Sequence, residues 1–416
     1  MTSRSSFATV ALKQEESTFT MHKMRNAKPP FISTGDPGSF AQYTMNERLP
    51  AILDSVIVDN EVSGPERQAL LSLKEELQGG RIGKLQLEGN MFEPEEVSVW
   101  EGCLRQYWGK SWHAIPWYVA EAFFYFKVLL EFGYFTKKSS YYKKDPFEIV
   151  KWRELLSHGG GLGLAKRFDA KRTLKELVYF SLWGNRIDLS RFDIASIEGE
   201  RIEENVSDKL VVDHSNRLAE KLLRAGRVDV VTDNSGTELV CDLMLARRFL
   251  QLSNGKRVHF HMKKYPIYVS DATVRDAKCT IGELCRQSEP QLKRLGEELL
   301  RFVSNERLFF HHHFFWNSPL HFPDFTDDLR ASLAKSDIVI LKGDVNYRRL
   351  LSDRKWPHTT NMEEVTGYFP SAFAVLRTLK SEIVVDLDEE TVSTLHRADS
   401  RWMVNGERGV IRLVAR

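Results

Sequence analysis

Acidic and amide residues in the second half of the chain stand where strand-like runs end. After residues 228–232 (VDVVT) come Asp233, Asn234, Ser235, Gly236, Thr237 and Glu238. After 266–270 (PIYVS) comes Asp271. After 338–341 (IVIL) come Lys342, Gly343, Asp344, Val345, Asn346, Tyr347 and Arg348, and after 373–376 (FAVL) come Arg377, Thr378, Leu379 and Lys380. Oxygen donors of the kind offered by Asp233, Asn234 and Asp271 suit Mg²⁺ or Mn²⁺, hard cations that keep waters and bind substrate phosphate. Ser235 and Gly236 open a helix, where free N–H groups attract an anion. Arg348 and Lys380 could hold phosphate oxygens. A plainer reading stands beside this one: Asp233 and Asn234 are common helix caps.

The elements that must position these residues follow from periodicity. Strand runs at 228–232, 258–262, 267–269, 338–341 and 373–376 alternate with helical patterns such as 237–252, which predicts a mostly parallel sheet covered on both faces. In such a sheet ligands bind beyond the carboxyl ends of the strands, where these residues lie. The first half reads as helices, over 46–57, 64–77, 116–132 and 172–182, with Pro116 suited to a first turn. The expected layout is a disordered arm over 1–35, a helical domain over 36–205, and an α/β/α domain over 206–416. The boundary is placed at 200–206, inside the charged stretch EGERIEE.

Other motifs read as structural. GGGLGL (159–164) resembles a nucleotide loop but follows a helix end rather than a strand, so it is expected to be a connector. KKSSYYKK (137–144) is expected to be a solvated turn. His311 and His313 share a face of a strand, but no third ligand stands at zinc spacing.

The 416 residues carry 59 basic and 57 acidic side chains, a formal net charge of +2, which gives no electrostatic reason to expect nucleic-acid binding. Cys103, Cys241, Cys279 and Cys285 form no CxxC pair, which fits a reducing, cytoplasmic compartment. No apolar run reaches the ~18–20 residues of a membrane span. Oligomeric state is left open.

The motifs SLWGNRIDLS (181–190), DNSGTELVCDL (233–243), YPIYVSDATVRD (265–276), HHHFFW (311–316), KGDVNYRRLLSDRKW (342–356) and RTLK (377–380) occur in one order along the chain. In this the chain resembles the ARMT-like damage-control phosphatases, the subgroup of metal-dependent sugar-phosphate phosphatases with a C-terminal RTxK signature. The resemblance runs from about residue 36 to the end. It implies a helical domain on an α/β/α domain. It implies that Asp233, Asn234 and Asp271 hold Mn²⁺, Ni²⁺, Co²⁺ or Mg²⁺. It further implies that Asp344, Asn346, Tyr347, Arg348 and Lys380 contact the substrate, and that Glu238 sits near a methyl donor in one proposed family role. Fructose 1-phosphate and related esters or diphosphates are the implied substrates, with Asp344 or Glu238 as candidate base for an attacking water, or a carboxylate as nucleophile. The alternative implied activity is an S-adenosylmethionine-dependent protein carboxyl methyltransferase, although DNSG stands where a glycine-rich methyl-donor loop would. Three positions depart from the family pattern: Phe126 replaces an arginine, Thr237 a bulky apolar residue and Ser352 a glycine. The first is expected to alter which ester fits.

Overall fold

The computed structural model describes residues 28–85, 87, 91–157, 159–167, 172–184 and 208–415. The arm up to residue 27, the boundary at 200–206 and the SLWGNRIDLS motif beyond Gly184 lie outside the described residues.

Seven strands form one sheet: β1 Leu210–Asp213, β2 Arg227–Val231, β3 Arg257–Lys263, β4 Leu308–His313, β5 Ile338–Lys342, β6 Phe373–Thr378 and β7 Gly409–Val414. Their order is β1-β7-β6-β5-β2-β3-β4. Every neighbouring pair is parallel except β6 and β7. The fold is thus mixed α/β with the mostly parallel sheet expected from the strand–helix alternation.

Alternation along the strands feeds two cores. Val228 and Val230 of β2 and Ile338 and Ile340 of β5 pack with the helix Gly236–Gln251 on one face. Val231, Val339 and Leu341 pack on the other, with Trp117, Phe315 and Tyr347. Both faces are apolar because both are covered, as parallel sheets require. The helices Glu148–Leu156, Gly161–Arg167 and Leu174–Trp183 contribute Leu155, Leu162, Leu164, Leu177 and Leu182 to the first of these cores. A third apolar cluster, rich in aromatic rings, is built from residues 45–147 around the helix Trp117–Glu131 and is joined by Ile267 and Tyr268. Each large apolar side chain fully buried there stabilises the fold by roughly 1.5–3 kcal/mol.

The chain runs from β2 outward to β3 and β4, then returns to place β5 and β6 on the other side of β2. The crevice between β2 and β5 is therefore the topological switch point, the expected ligand position in an open α/β sheet.

Two local expectations are corrected. Residues 267–269 are not a strand, because Tyr268 and Val269 adopt left-handed φ values of 55° and 69°, which no ladder accommodates. GGGLGL is not a plain connector, since a helix runs over Gly161–Arg167. Its glycines are required by close approach: a Cβ on Gly160 would lie 1.9 Å from the Glu154 carbonyl oxygen, and one on Gly161 2.9 Å from Val240. KKSSYYKK does form turns, with Lys143 over Tyr142 and Lys144 over Tyr141.

Candidate active site

The loop after β2 is zipped to the segment before the helix Val274–Arg286. Ser235 N donates to Ser270 O at 2.7 Å and Ala272 N to Asp233 O at 2.8 Å, and Asn234 and Asp271 form a bridge. This pairing brings Asp233, Asn234 and Asp271 together, all buried. Asn234 Nδ2 donates to Asp233 Oδ2 at 2.8 Å and to Glu238 Oε2 at 2.9 Å, while Ser270 Oγ donates to Asn234 Oδ1 at 2.5 Å. Lys263 Nζ lies 3.1 Å from Asp271 Oδ2.

Neither Asp233 nor Asn234 caps the following helix. Ser235 is the N-cap residue and makes no side-chain cap bond. The Thr237 amide instead donates to Glu154 Oε1, 3.2 Å away on another helix. The helix-cap reading of Asp233 and Asn234 is thereby corrected; their side chains bond each other, Glu238 and Ser270 instead.

Electrostatics favour a cation here. Burial, then the charges of Glu238 and Asp271, raise the Asp233 carboxyl well above its ordinary range. Burial likewise raises Asp271 against the pull of Lys263. Lys342 Nζ is 2.9 Å from Glu238 Oε1 and 2.7 Å from Asp242 Oδ1, so its charge is shared between two carboxylates. Gly343 is the floor of the cradle: its φ is +79°, and a Cβ there would fall 2.0 Å from Asp233 Oδ2. The donor set is all oxygen, from two carboxylates and one amide, and fits a divalent cation that completes its shell with water or phosphate. Among the described residues no group of three His, Cys, Asp or Glu side chains could by itself hold a metal ion.

Asp344 opens the helix after β5. Its Oδ1 accepts from Arg377 Nε at 2.7 Å, Ser381 Oγ at 3.1 Å and Lys380 N at 3.2 Å. Burial opposes its charge, but Arg377 and Arg348 hold its carboxyl below the usual range, so it stays ionised. The Lys380 side chain makes no hydrogen bond or ion pair among the described residues, yet lies within electrostatic reach of Asp233 and Glu154. A free ammonium beside a carboxylate cluster is placed to receive an anion.

The neighbours of Asp344 are differently engaged. Asn346 Nδ2 bonds the carbonyls of Thr232 at 3.1 Å and Lys342 at 2.8 Å, splinting β2 to β5. Tyr347 is buried with its hydroxyl accepting from Val385 N at 3.2 Å and Arg377 over its ring. Arg348 is 2% exposed, bound to Glu121 Oε2 at 2.6 Å and Asp353 Oδ1 at 2.7 Å, and stacked 3.4 Å from the Trp117 centroid. The expectation of direct substrate contact from Asn346, Tyr347 and Arg348 thus meets side chains already committed to the protein. Sequence position alone could not reveal partners as distant as Glu121.

Two groups escaped the sequence reading. Burial pushes Glu154 up to about 7, against the lowering by the Thr237 amide and with Glu238 adding to the rise. Arg48 ends the short π-helix Thr44–Arg48, part of its side chain open to solvent and part enclosed beside Tyr125 and Glu121. Burial lowers its pKa, but Tyr125 and Glu121 outweigh that and raise it. A π-turn is frequent at functional sites, but no sequence pattern marks one.

Phe126 is 2% exposed and lies in the helical core, stacked on Trp100 at 4.3 Å and 13°. The ring fills a core position, while the adjacent Tyr125 is within electrostatic reach of Asp271. Ser352 keeps the backbone of the glycine it replaces, with φ 55°. His311 of β4 pairs across the sheet, its Nε2 2.9 Å from His259 Nδ1, while His313 lies 3.4 Å from Asp328 and accepts from Phe315 N. All four cysteines are free. Among the described residues no helix is long and apolar enough to cross a membrane.

Comparison with known proteins shows the family. The family model described as the damage-control phosphatase ARMT1-like domain matches residues 44–395. The chain is 30% identical to damage-control phosphatase ARMT1 of Xenopus tropicalis, over 92% of this chain and 98% of that protein. The corresponding protein of Danio rerio is 29% identical, over 92% and 96%, and that of Homo sapiens 27%, over 92% and 98%. A crystal structure of a DUF89 family protein from Pyrococcus horikoshii is 17% identical, covers 89% of this chain and 96% of its own, and superposes with a TM-score of 0.45, too low to carry an argument. The chain belongs to the damage-control phosphatase ARMT1-like family.

Proposed function

We propose that this protein is a metal-dependent phosphatase of small phosphorylated metabolites, with fructose 1-phosphate or a related ester or diphosphate as substrate. Family membership makes it a phosphoric ester hydrolase. The observation that carries the reading is the uncapped, charge-dense group Asp233, Asn234 and Asp271 at the switch point, facing the free ammonium of Lys380. Asp233, Asn234 and Asp271 would hold Mn²⁺, Co²⁺, Ni²⁺ or Mg²⁺, which supplies Lewis-acid polarisation of a phosphoryl oxygen when bound. Lys380 draws the phosphoryl group to the strand ends and stabilises charge developing on its oxygens. Asp344, fixed through Oδ1, keeps Oδ2 without a protein donor among the described residues and accepts a proton or hydrogen bond there. Arg348 acts at one remove, by keeping Asp344 ionised.

The methyltransferase alternative is not favoured: the loop after β2 is spent on the carboxylate cradle, with Gly343 pressed against Asp233. A helical unit over 36–205 ahead of an α/β/α unit over 206–416 remains part of the proposal; the apolar cluster of residues 45–147 with Ile267 and Tyr268 supports it, whereas the helices over 148–183 pack in the core of the sheet. The test is a phosphate-release screen over sugar phosphates, other monoesters and diphosphates with each of the four metals. Metal-dependent turnover of a small phosphate ester is expected, and no release with any combination would refute the reading.

A further inference from the structure

Lys342 ends β5, and its side chain is 0% exposed. A buried charge is costly unless it is paired and hydrogen-bonded. An ammonium has three N–H groups, and three protein oxygens surround this one. They are Glu238 Oε1 at 2.9 Å, Asp242 Oδ1 at 2.7 Å and the Ser181 carbonyl oxygen at 2.6 Å. Ser181 Oγ donates to the same Asp242 oxygen at 2.5 Å, so the helix Leu174–Trp183 helps to hold the group. No N–H remains for a substrate phosphate, and the side chain has no exposed surface to offer one.

Glu238 carries the effect of this cluster to the site. Its Oε1 faces Lys342, and its Oε2 accepts from Asn234 Nδ2 at 2.9 Å. The same amide nitrogen donates to Asp233 Oδ2 at 2.8 Å. Both amide hydrogens are thus spent on carboxylates, and Asn234 Oδ1 is turned away from them, where Ser270 Oγ donates to it. A carboxamide turned over would set Oδ1 against two carboxylate oxygens and lose both bonds. An amide oxygen has two lone pairs, so Oδ1 keeps one for a cation beside the bond from Ser270. Gly343, next in the chain to Lys342, limits the position of Asp233. The end of β5 therefore bears on two of the three proposed metal ligands.

We propose that Lys342 and Glu238 are positioning residues for metal binding: Lys342 clamps Glu238, and Glu238 fixes the Asn234 amide with its oxygen, not its nitrogen, turned to the cation. The inference rests on the reading of Asp233, Asn234 and Asp271 as metal ligands. It removes Glu238 from the candidates for the base that activates water, because both its oxygens are engaged and its side chain is only 5% exposed. Groups that orient metal ligands from behind commonly change metal affinity or activity 10- to 100-fold.

The experiment is a double-mutant cycle on Mn²⁺ affinity, measured by calorimetry on the full chain, with kcat at saturating Mn²⁺ and the melting temperature of each variant. Glu238→Gln weakens both the clamp and the acceptor, and its Mn²⁺ Kd is expected to rise about 10- to 100-fold. Asn234→Asp abolishes the amide orientation and sets a carboxylate against Glu238. In that background Glu238→Gln is expected to lower the Kd, because the glutamine amide donates to the new carboxylate. No lowering there would overturn the inference, since loss of a nearby negative charge would then explain the single variant. An unaltered Kd with a fallen kcat would overturn it in favour of Glu238 as base. An unaltered Kd with a lowered melting temperature would overturn it in favour of a purely structural role. Should Glu238→Gln fail to fold, Glu238→Asp keeps the charge but cannot span Asn234 and Lys342, and the same rise in Kd is expected; loss of folding there too would overturn the inference. If the wild type binds none of the four metals, the metal reading falls and takes the inference with it. If it binds metal and the variants match it, the inference alone falls.

Discussion

Gly343→Ala places a methyl group where the structure has least room. Residue 343 has φ +79°, and an added Cβ would lie 2.0 Å from Asp233 Oδ2 and 2.2 Å from its Cγ. Real Cβ contacts essentially never fall under 3.0 Å, so the carboxylate has to retreat by about 1 Å or more. Two consequences separate cleanly. The left-handed backbone disfavours alanine by roughly 1–2 kcal/mol, which lowers the melting temperature by a few degrees. Misplacing a positioned group by about 1 Å commonly removes ~10²-fold of rate, so kcat/KM should fall by about that factor. Mn²⁺ affinity should weaken in the same variant, because Asp233 is a proposed ligand. The assay is phosphate release at saturating Mn²⁺, with Mn²⁺ titration and thermal melting on the same sample. Gly102→Ala is the control: it lies in the helix Pro94–Leu104, with nothing within 4 Å of an added Cβ. It should gain roughly 0.5–1 kcal/mol of stability and keep its turnover. A folded Gly343→Ala protein with wild-type turnover and Mn²⁺ affinity would refute the idea that Asp233 is held against Gly343 in order to act.

Lys380→Met removes a cation that has no ion pair among the described residues. Stability should stay within about 0.5 kcal/mol while kcat/KM falls at least ~10-fold; lost stability with unchanged kcat/KM would make the lysine structural. Arg348→Ala strands Glu121 and Asp353, and breaking a buried pair this way destabilises by about 3–5 kcal/mol. Urea unfolding should show that loss, whereas wild-type stability with a raised KM would return Arg348 to direct substrate contact. Glu154 keeps its proton in the folded protein up to about pH 7, while an unfolded chain releases it near the ordinary 4.5. Between those values the folded state binds more protons, so this group's contribution to stability is lost as pH rises from 4.5 to 7. Metal-free Glu154→Gln should therefore melt like the wild type below pH 4.5 and at a higher temperature above pH 7. Parallel melting curves across that window would contradict the assignment.

Much of the sheet was legible because its strands are short apolar runs with clear breaks. IVIL reads as a buried parallel strand and is one, with all of Ile338–Lys342 buried. The strand ends were legible for the same reason, since a parallel sheet puts its ligand side at the residues after each strand. The stretch 267–269 misled because Ile, Tyr and Val favour strands, while the conformation of Tyr268 and Val269 is dictated by the docking of this segment onto the loop after β2. Arg348 misled because an arginine beside a phosphate-like motif reads as an anion ligand; its partners Glu121 and Asp353 come together only in the fold. Glu154 was invisible because its contact with Thr237 spans 83 positions of sequence.

In the proposed mechanism Asp233, Asn234 and Asp271 hold the metal on which hydrolysis depends. This is tested most directly by measuring Mn²⁺ stoichiometry and phosphate release on the same preparations of wild type and Asp233→Asn, before and after chelation. The account predicts that chelated wild type is inactive and that added Mn²⁺ restores both binding and turnover. It predicts a folded Asp233→Asn protein with weakened Mn²⁺ binding and turnover reduced at least ~10²-fold. Full turnover in wild type shown to be metal-free, or near-normal turnover and metal binding in Asp233→Asn, would contradict it.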